Sequence, residues 1–194
     1  RREVRTRGSV TTDRPILTID FDGVVCAPPL GRNLGIHRDF LDAAVPPPEA
    51  RAWPRWLGAP LDHLRFDWRR PLPEARDALQ RLAAPRTLII LTGRRSSPLP
   101  WMRRHGMADY FDRILINEGP RKSPHYKLEQ VLQLGATEHV DDDGRTAQLL
   151  AQHSTVRVFL RDWPRNRDLP FDPRVERIAH LAALADLIEA GDQT

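Results

Sequence analysis

At 194 residues, 40% of them hydrophobic, the chain has the size of one domain with room for a small insertion, and two full domains are not expected. Its 30 basic and 26 acidic side chains leave a net charge of +4, which suits an anionic substrate. One cysteine, Cys26, excludes an internal disulfide framework; no apolar run approaches the roughly 18 residues of a membrane span and no signal peptide is read, so a soluble cytoplasmic protein is expected.

Arg1, Arg2, Arg5 and Arg7 make a basic start that reads as a frayed terminus. Residues 16–20 then form a short apolar run, a buried strand that delivers Asp20 at its carboxyl end and continues into Phe21-Asp22-Gly23. From Pro28 to Pro73 prolines cluster and Trp53, Trp56 and Trp68 are spread among them, so residues 27–72 read as a small cap or lid inserted into a single 1–194 domain. Pro73 opens a helix with Ala75, Ala78, Leu79 and Leu82 on one face, and Pro85 stops it. Thr87 to Leu91 is a strand covered on both faces, ending at Thr92-Gly93-Arg94.

A second cycle follows. Trp101 to Gly106 reads as a short helix, Arg113 to Ile116 as a strand, residues 124–134 as a helix closed by Gly135, and His139-Val140 as a short strand running into Asp141-Asp142-Asp143. Ala147 to Ala151 suggests another helix, Val156 to Leu160 a last strand, and Pro173 to Ala190 a closing amphipathic helix. Alternating strands and helices predict an α/β fold, a parallel sheet sandwiched by helices.

In such a sheet ligands bind beyond the carboxyl ends of the strands, where three polar clusters converge. Asp20 and Asp22 are placed to share a Mg²⁺, a hard cation that takes carboxylate oxygens, and Asp141 and Asp142 follow another strand. Thr92 offers a hydroxyl and the Gly93 turn a backbone N–H to a phosphate oxygen. A cation is needed to offset the carboxylate and phosphate charge; Lys127 is favoured, with Lys122 as the alternative. The histidines are dispersed and show no zinc spacing.

In their order, Asp20-Phe21-Asp22-Gly23-Val24-Val25, Leu91-Thr92-Gly93-Arg94, a lysine at 122 or 127, and Val140-Asp141-Asp142-Asp143 resemble the motifs of the haloacid dehalogenase superfamily of phosphohydrolases, over residues 16 to about 160. The resemblance implies a Rossmann-like fold and a Mg²⁺-dependent phosphomonoester hydrolase. It implies Asp20 as the nucleophile that forms an aspartyl-phosphate and Asp22 as the general acid, an acid that the superfamily's dehalogenases lack. Thr92 and the lysine would hold phosphoryl oxygens. Asp142, with Asp141 competing for the role, would complete the metal site, and the Asp22 backbone carbonyl would join it. A small phosphorylated substrate is the first expectation. His125-Tyr126-Lys127-Leu128 is similar to a branch found in nucleic-acid repair domains, which makes a polynucleotide-end phosphatase the alternative; an inactive phosphate-binding domain is the other. Trp53, Trp56, Phe66 and Trp68 could form the core of the lid or stack on a substrate ring.

Overall fold

A computed structural model describes residues 4–5, 14–28, 68–164 and 166–192 of the chain. At its centre is a sheet of seven strands: β1 (Val4–Arg5), β2 (Ile16–Ile19), β3 (Thr87–Thr92), β4 (Arg113–Ile116), β5 (Glu138–Asp141), β6 (Arg157–Arg161) and β7 (Val175–Ile178). Their order across the sheet is β1-β4-β3-β2-β5-β6-β7. From β4 to β7 all neighbours are parallel, and β1 pairs antiparallel with β4 at one edge.

Side chains on the central strands alternate between two cores, as the two-residue period of a strand requires. Leu17 and Ile19 of β2 and Leu88 and Ile90 of β3 enter one core, while Leu91 enters the other with Val158 and Leu160 of β6. Helices α1 (Ala75–Leu82) and α5 (Leu181–Gly191) pack together over the first core, joined there by Trp101 and Met102 of α2 (Leu99–Arg104). On the opposite face α3 (Ser123–Leu134) packs beside α4 (Gly144–His153). The architecture is the expected α/β sandwich, Rossmann-like in its parallel core. No described helix is long and apolar enough to cross a membrane.

Three expectations change. The closing helix does not begin at Pro173: Val175–Ile178 pairs with β6 as β7, and α5 starts at Leu181, where the His180 ring accepts the Ala183 N–H at 3.1 Å. The basic start is not all frayed, because Val4–Arg5 pairs with β4. Helix α2 begins at Leu99 and ends at Arg104, with Pro100 in its first turn, where a missing N–H costs nothing.

Trp53, Trp56 and Phe66 of the expected lid lie outside the described residues, and Trp68 is 60% exposed. The two ends of the insertion are described and meet. Cys26 bridges antiparallel to Pro71, the Ala27 N–H donates to the Arg70 carbonyl at 2.9 Å, and Leu72 N–H donates to Val25 at 3.0 Å.

Candidate active site

Chain order explains where a site forms. From β2 the chain moves outward through β3 and β4, then crosses back to β5 on the other side of β2, so the carboxyl ends of β3, β2 and β5 border the crevice at the switch point. Thr92 ends β3, Asp20 follows β2, and Asp141 ends β5.

Asp20 is carried into place by its own N–H, which donates to the Val140 carbonyl at 2.9 Å and extends the β2–β5 pairing by one residue. The chain then turns sharply. Gly23 has φ 78°, a left-handed conformation that favours glycine, and Val25 and Cys26 both donate to the Phe21 carbonyl, at 3.1 and 2.9 Å. Phe21 is fully buried, edge-on to Trp101 with centroids 5.0 Å apart, which anchors the turn to the core. Cys26 is buried in the same turn, and burial together with the Asp22 charge pushes its thiol up to about 11, an inert state.

Lys127 lies on the first turns of α3 and reaches into the crevice. Its Nζ donates to Asp20 Oδ1 at 2.6 Å and to Asp141 Oδ2 at 2.8 Å, and all three residues are buried. Burial alone would lower the ammonium, but the charges of Asp141 and Asp20 outweigh it and hold Lys127 protonated. Asp141 stays ionised despite burial because Lys127 and the His139 hydrogen bond favour its anion. Asp20 goes the other way: burial, with Asp141 and Asp22 nearby, pushes it up to about 7 even against the pull of Lys127. Lys122, the alternative lysine, is exposed at the N-cap position of α3 and does not enter the cluster.

Gly93 sets how closely α3 can approach. A Cβ there would sit 2.3 Å from Ser123 Oγ and 2.7 Å from its Cβ, so only glycine admits the start of α3 that carries Lys127. Thr92 is buried beside it, its Oγ1 accepting the Arg94 N–H at 3.3 Å, which leaves the hydroxyl proton directed elsewhere.

The acids divide into two groups. Asp20, Asp141 and Asp142 offer oxygens within 4.8 Å of one another, all three buried. With Lys127 the group carries two negative charges in excess when ionised, and oxygens are its only donors. That fits a hard divalent cation such as Mg²⁺ better than a softer metal. The side chain of Asp22, expected among the metal ligands, is outside this group. Arg94 grips it with Nε and Nη2 at 2.6 and 2.5 Å, and Arg69 donates to the same carboxylate. Burial would raise Asp22, but Arg94 and then Arg69 outweigh it and hold the carboxyl below the usual range. Asp143 turns away to cap α4, accepting the Arg145 N–H at 3.0 Å.

Two supports were missed in the sequence. His139 is fully buried, with Nε2 3.0 Å from Asp141 Oδ2 and Nδ1 2.8 Å from Thr18 Oγ1. Burial lowers its pKa, so the neutral ring donates from Nε2 and accepts the Thr18 hydroxyl. Its place two residues before Asp141 on one strand put both on the same face, the one available signal. Arg69 gave none, being 47 positions from Asp22, at the far end of the insertion.

Solved structures similar to the chain share this architecture. They include the D,D-heptose 1,7-bisphosphate phosphatase of B. bronchiseptica complexed with magnesium and phosphate, at TM-score 0.59 and 17% identity over 91% of this chain and 99% of that one. A subfamily IA hydrolase of the HAD superfamily from Geobacter sulfurreducens matches at TM-score 0.55 and 18% identity over 90% and 99%. A HAD-like phosphatase from Mesorhizobium loti matches at 0.53 and 14% over 98% and 92%. No protein-family model matches the chain, and no curated protein matches it significantly. The chain has the fold of the haloacid dehalogenase superfamily of hydrolases.

Proposed function

We propose that the protein is a Mg²⁺-dependent phosphomonoester hydrolase that works through an aspartyl-phosphate on Asp20. The observation that carries this reading is the Lys127 bridge between Asp20 and Asp141 inside a three-carboxylate cluster, with a fourth acid, Asp22, held apart two residues on. The phosphatases among the similar folds, one of them complexed with magnesium and phosphate, agree with it.

Asp20, Asp141 and Asp142 would hold the cation, which when bound supplies Lewis-acid stabilisation of charge on the phosphoryl oxygens. Lys127, the Thr92 hydroxyl and the Gly93 N–H orient those oxygens toward the Asp20 carboxylate. An oxygen of Asp20 forms a bond to phosphorus as the bond to the leaving oxygen breaks, and Asp22 gives that oxygen a proton. A water then attacks phosphorus and gives its proton to Asp22, the bond to Asp20 breaks, and orthophosphate leaves. The first step needs a proton on Asp22 against the pull of Arg94 and Arg69. The second uses the carboxylate that the two arginines favour.

The test is phosphate release from a panel of small phosphomonoesters and of 3′- and 5′-phosphorylated oligonucleotides, with Mg²⁺ and with chelator, for the wild type and Asp20→Asn. Mg²⁺-dependent release from small esters, abolished by Asp20→Asn, is expected. Release confined to oligonucleotides would move the substrate class to polynucleotide ends; equal release by the variant would remove Asp20 as the nucleophile.

A further inference from the structure

The segment after β6 is tied to the site through three side chains. Arg161 is buried, donating from Nη1 to the Val24 carbonyl at 3.2 Å and pairing Nη2 with Glu74 Oε1 at 2.8 Å. Trp163 donates its indole N–H to the Gly23 carbonyl at 3.1 Å, with the Arg161 guanidinium 5.1 Å from its ring. Asn166 is fully buried; its Nδ2 donates to the carbonyls of Asp142 and Arg161 at 3.2 and 2.9 Å, while Oδ1 accepts the Trp163 backbone N–H at 3.0 Å.

At the site all three take hold of backbone carbonyls, not of the clustered carboxylates. Gly23 and Val24 belong to the turn that holds Asp20 and Asp22, and Asp142 contributes one of the clustered oxygens. These two loops meet through like-charged acids, which push them apart. Donors rooted in one segment and bonded to both loops oppose that repulsion. The Asn166 amide has one workable orientation, because a flipped amide would set its oxygen against two carbonyls and its NH₂ against an N–H. Behind it, a Cβ on Gly144 would lie 2.4 Å from Phe171 Cζ, so the same stretch of chain also presses on the start of α4.

We infer that Arg161, Trp163 and Asn166 are positioning residues that set the spacing between the Asp20–Asp22 turn and Asp142, and through it the affinity of the carboxylate cluster for a divalent cation. The inference rests on the metal reading of that cluster. Partners of this kind, one bond behind the ligands, change metal affinity by about 10- to 100-fold when removed. A role confined to folding has a different signature: it lowers the folded fraction and the activity at every Mg²⁺ concentration and leaves the affinity of the folded molecules alone.

Mn²⁺ binding to the full chain, read by electron paramagnetic resonance, tests it in the wild type, Asn166→Ala, Trp163→Phe and the reference Asp142→Asn, with folding checked by circular dichroism in chelator. Asn166→Ala is expected to raise the Mn²⁺ dissociation constant about 10-fold or more. Trp163→Phe, which removes little but the indole N–H, should raise it by a smaller factor. The Mg²⁺ concentration for half-maximal phosphatase activity should rise in parallel, with kcat at saturating Mg²⁺ nearly unchanged. Wild-type Mn²⁺ affinity in folded Asn166→Ala overturns the inference; if that variant does not fold, wild-type affinity in Trp163→Phe overturns it. A wild type that binds no Mn²⁺ removes the metal reading and this inference with it.

Discussion

Without the Lys127 ammonium, Asp20 and Asp141 would face each other inside the protein with no cation between them. Removing one partner of a buried pair usually costs about 3 to 5 kcal/mol. Lys127→Met should fall at the lower end, about 3 kcal/mol in chelator, because Asp20 already sits at about 7 and can take up a proton. The sign with pH follows. A carboxyl raised above its unfolded value destabilises the fold at high pH and is relieved as pH falls through the folded value. Loss of Lys127 pushes Asp20 further up, so the deficit of Lys127→Met in urea unfolding should be smallest at about pH 6, where Asp20 is protonated with or without the lysine, and grow as pH rises above about 7. Its activity should drop at least about 100-fold, since the ammonium also faces the developing phosphoryl charge. Gly93 acts by shape. Gly93→Ala drives a methyl into Ser123 and should cost about 1 to 3 kcal/mol and displace Lys127. Adding Ser123→Gly removes both clashing atoms and leaves the Cα 3.7 Å away, so a double-mutant cycle in urea unfolding should show positive coupling and part of the activity should return.

At the scale of elements, the sequence was most legible where burial covered both faces. Thr87–Thr92 has no polar residue inside it and was read to within one residue, and Asp20 fell at a strand end because the apolar run stopped there, whereas β5, with Val140 its one apolar residue, was marked mainly by the acids that follow it. Helix α5 shows why the rest was harder. Val175 and Ile178 are three apart, and Ile178, Leu181 and Ala185 continue that spacing, so a strand that meets a helix in phase looks like one longer helix. The pairing of β7 with β6 and the His180 cap decide the break, and both are contacts the periodicity does not carry. Helix α5 is also held by charge. Arg81 takes Glu189 at 2.8 and 2.6 Å, and Arg86 takes Asp192 at 2.7 and 3.0 Å. The arginine hydrogen bonds hold both carboxyls below their usual range. A depressed carboxyl contributes stability above its unfolded value, near about 4, and loses it as pH falls through the folded value. Glu189→Gln with Asp192→Asn should therefore melt below the wild type at about pH 7, and the difference should narrow as pH falls below about 4, followed by circular dichroism.

For the molecule as a whole, the candidate site is assembled from both ends of the chain's path. β2 lies at the middle of the sheet, so its turn gathers Lys127 and the Asp141–Asp142 pair from the second half and Arg69 from the far end of the insertion. Acids at strand ends announce themselves in one dimension. Arg69, Asn166 and Trp163 do not, because their partners are 47, 24 and 140 positions away and nothing local marks the pairing. The insertion is the remaining large feature, and its two described ends meet. Cys26 bridges Pro71, and the Ala27 and Leu72 N–H groups close the ring at 2.9 and 3.0 Å. Replacing residues 29–67 by about five Gly and Ser residues shortens the loop roughly eightfold, which lowers its closure cost by about 2 kcal/mol. The shortened chain should unfold in one cooperative transition at or above the wild-type midpoint. It should also keep Arg69 on Asp22, because Trp101 Nε1 fixes the Arg69 carbonyl from α2 at 2.8 Å. If the insertion serves substrate recognition alone, KM for a small phosphomonoester changes while Mn²⁺ affinity does not. Loss of the cooperative transition would show that residues 29–67 belong to the core.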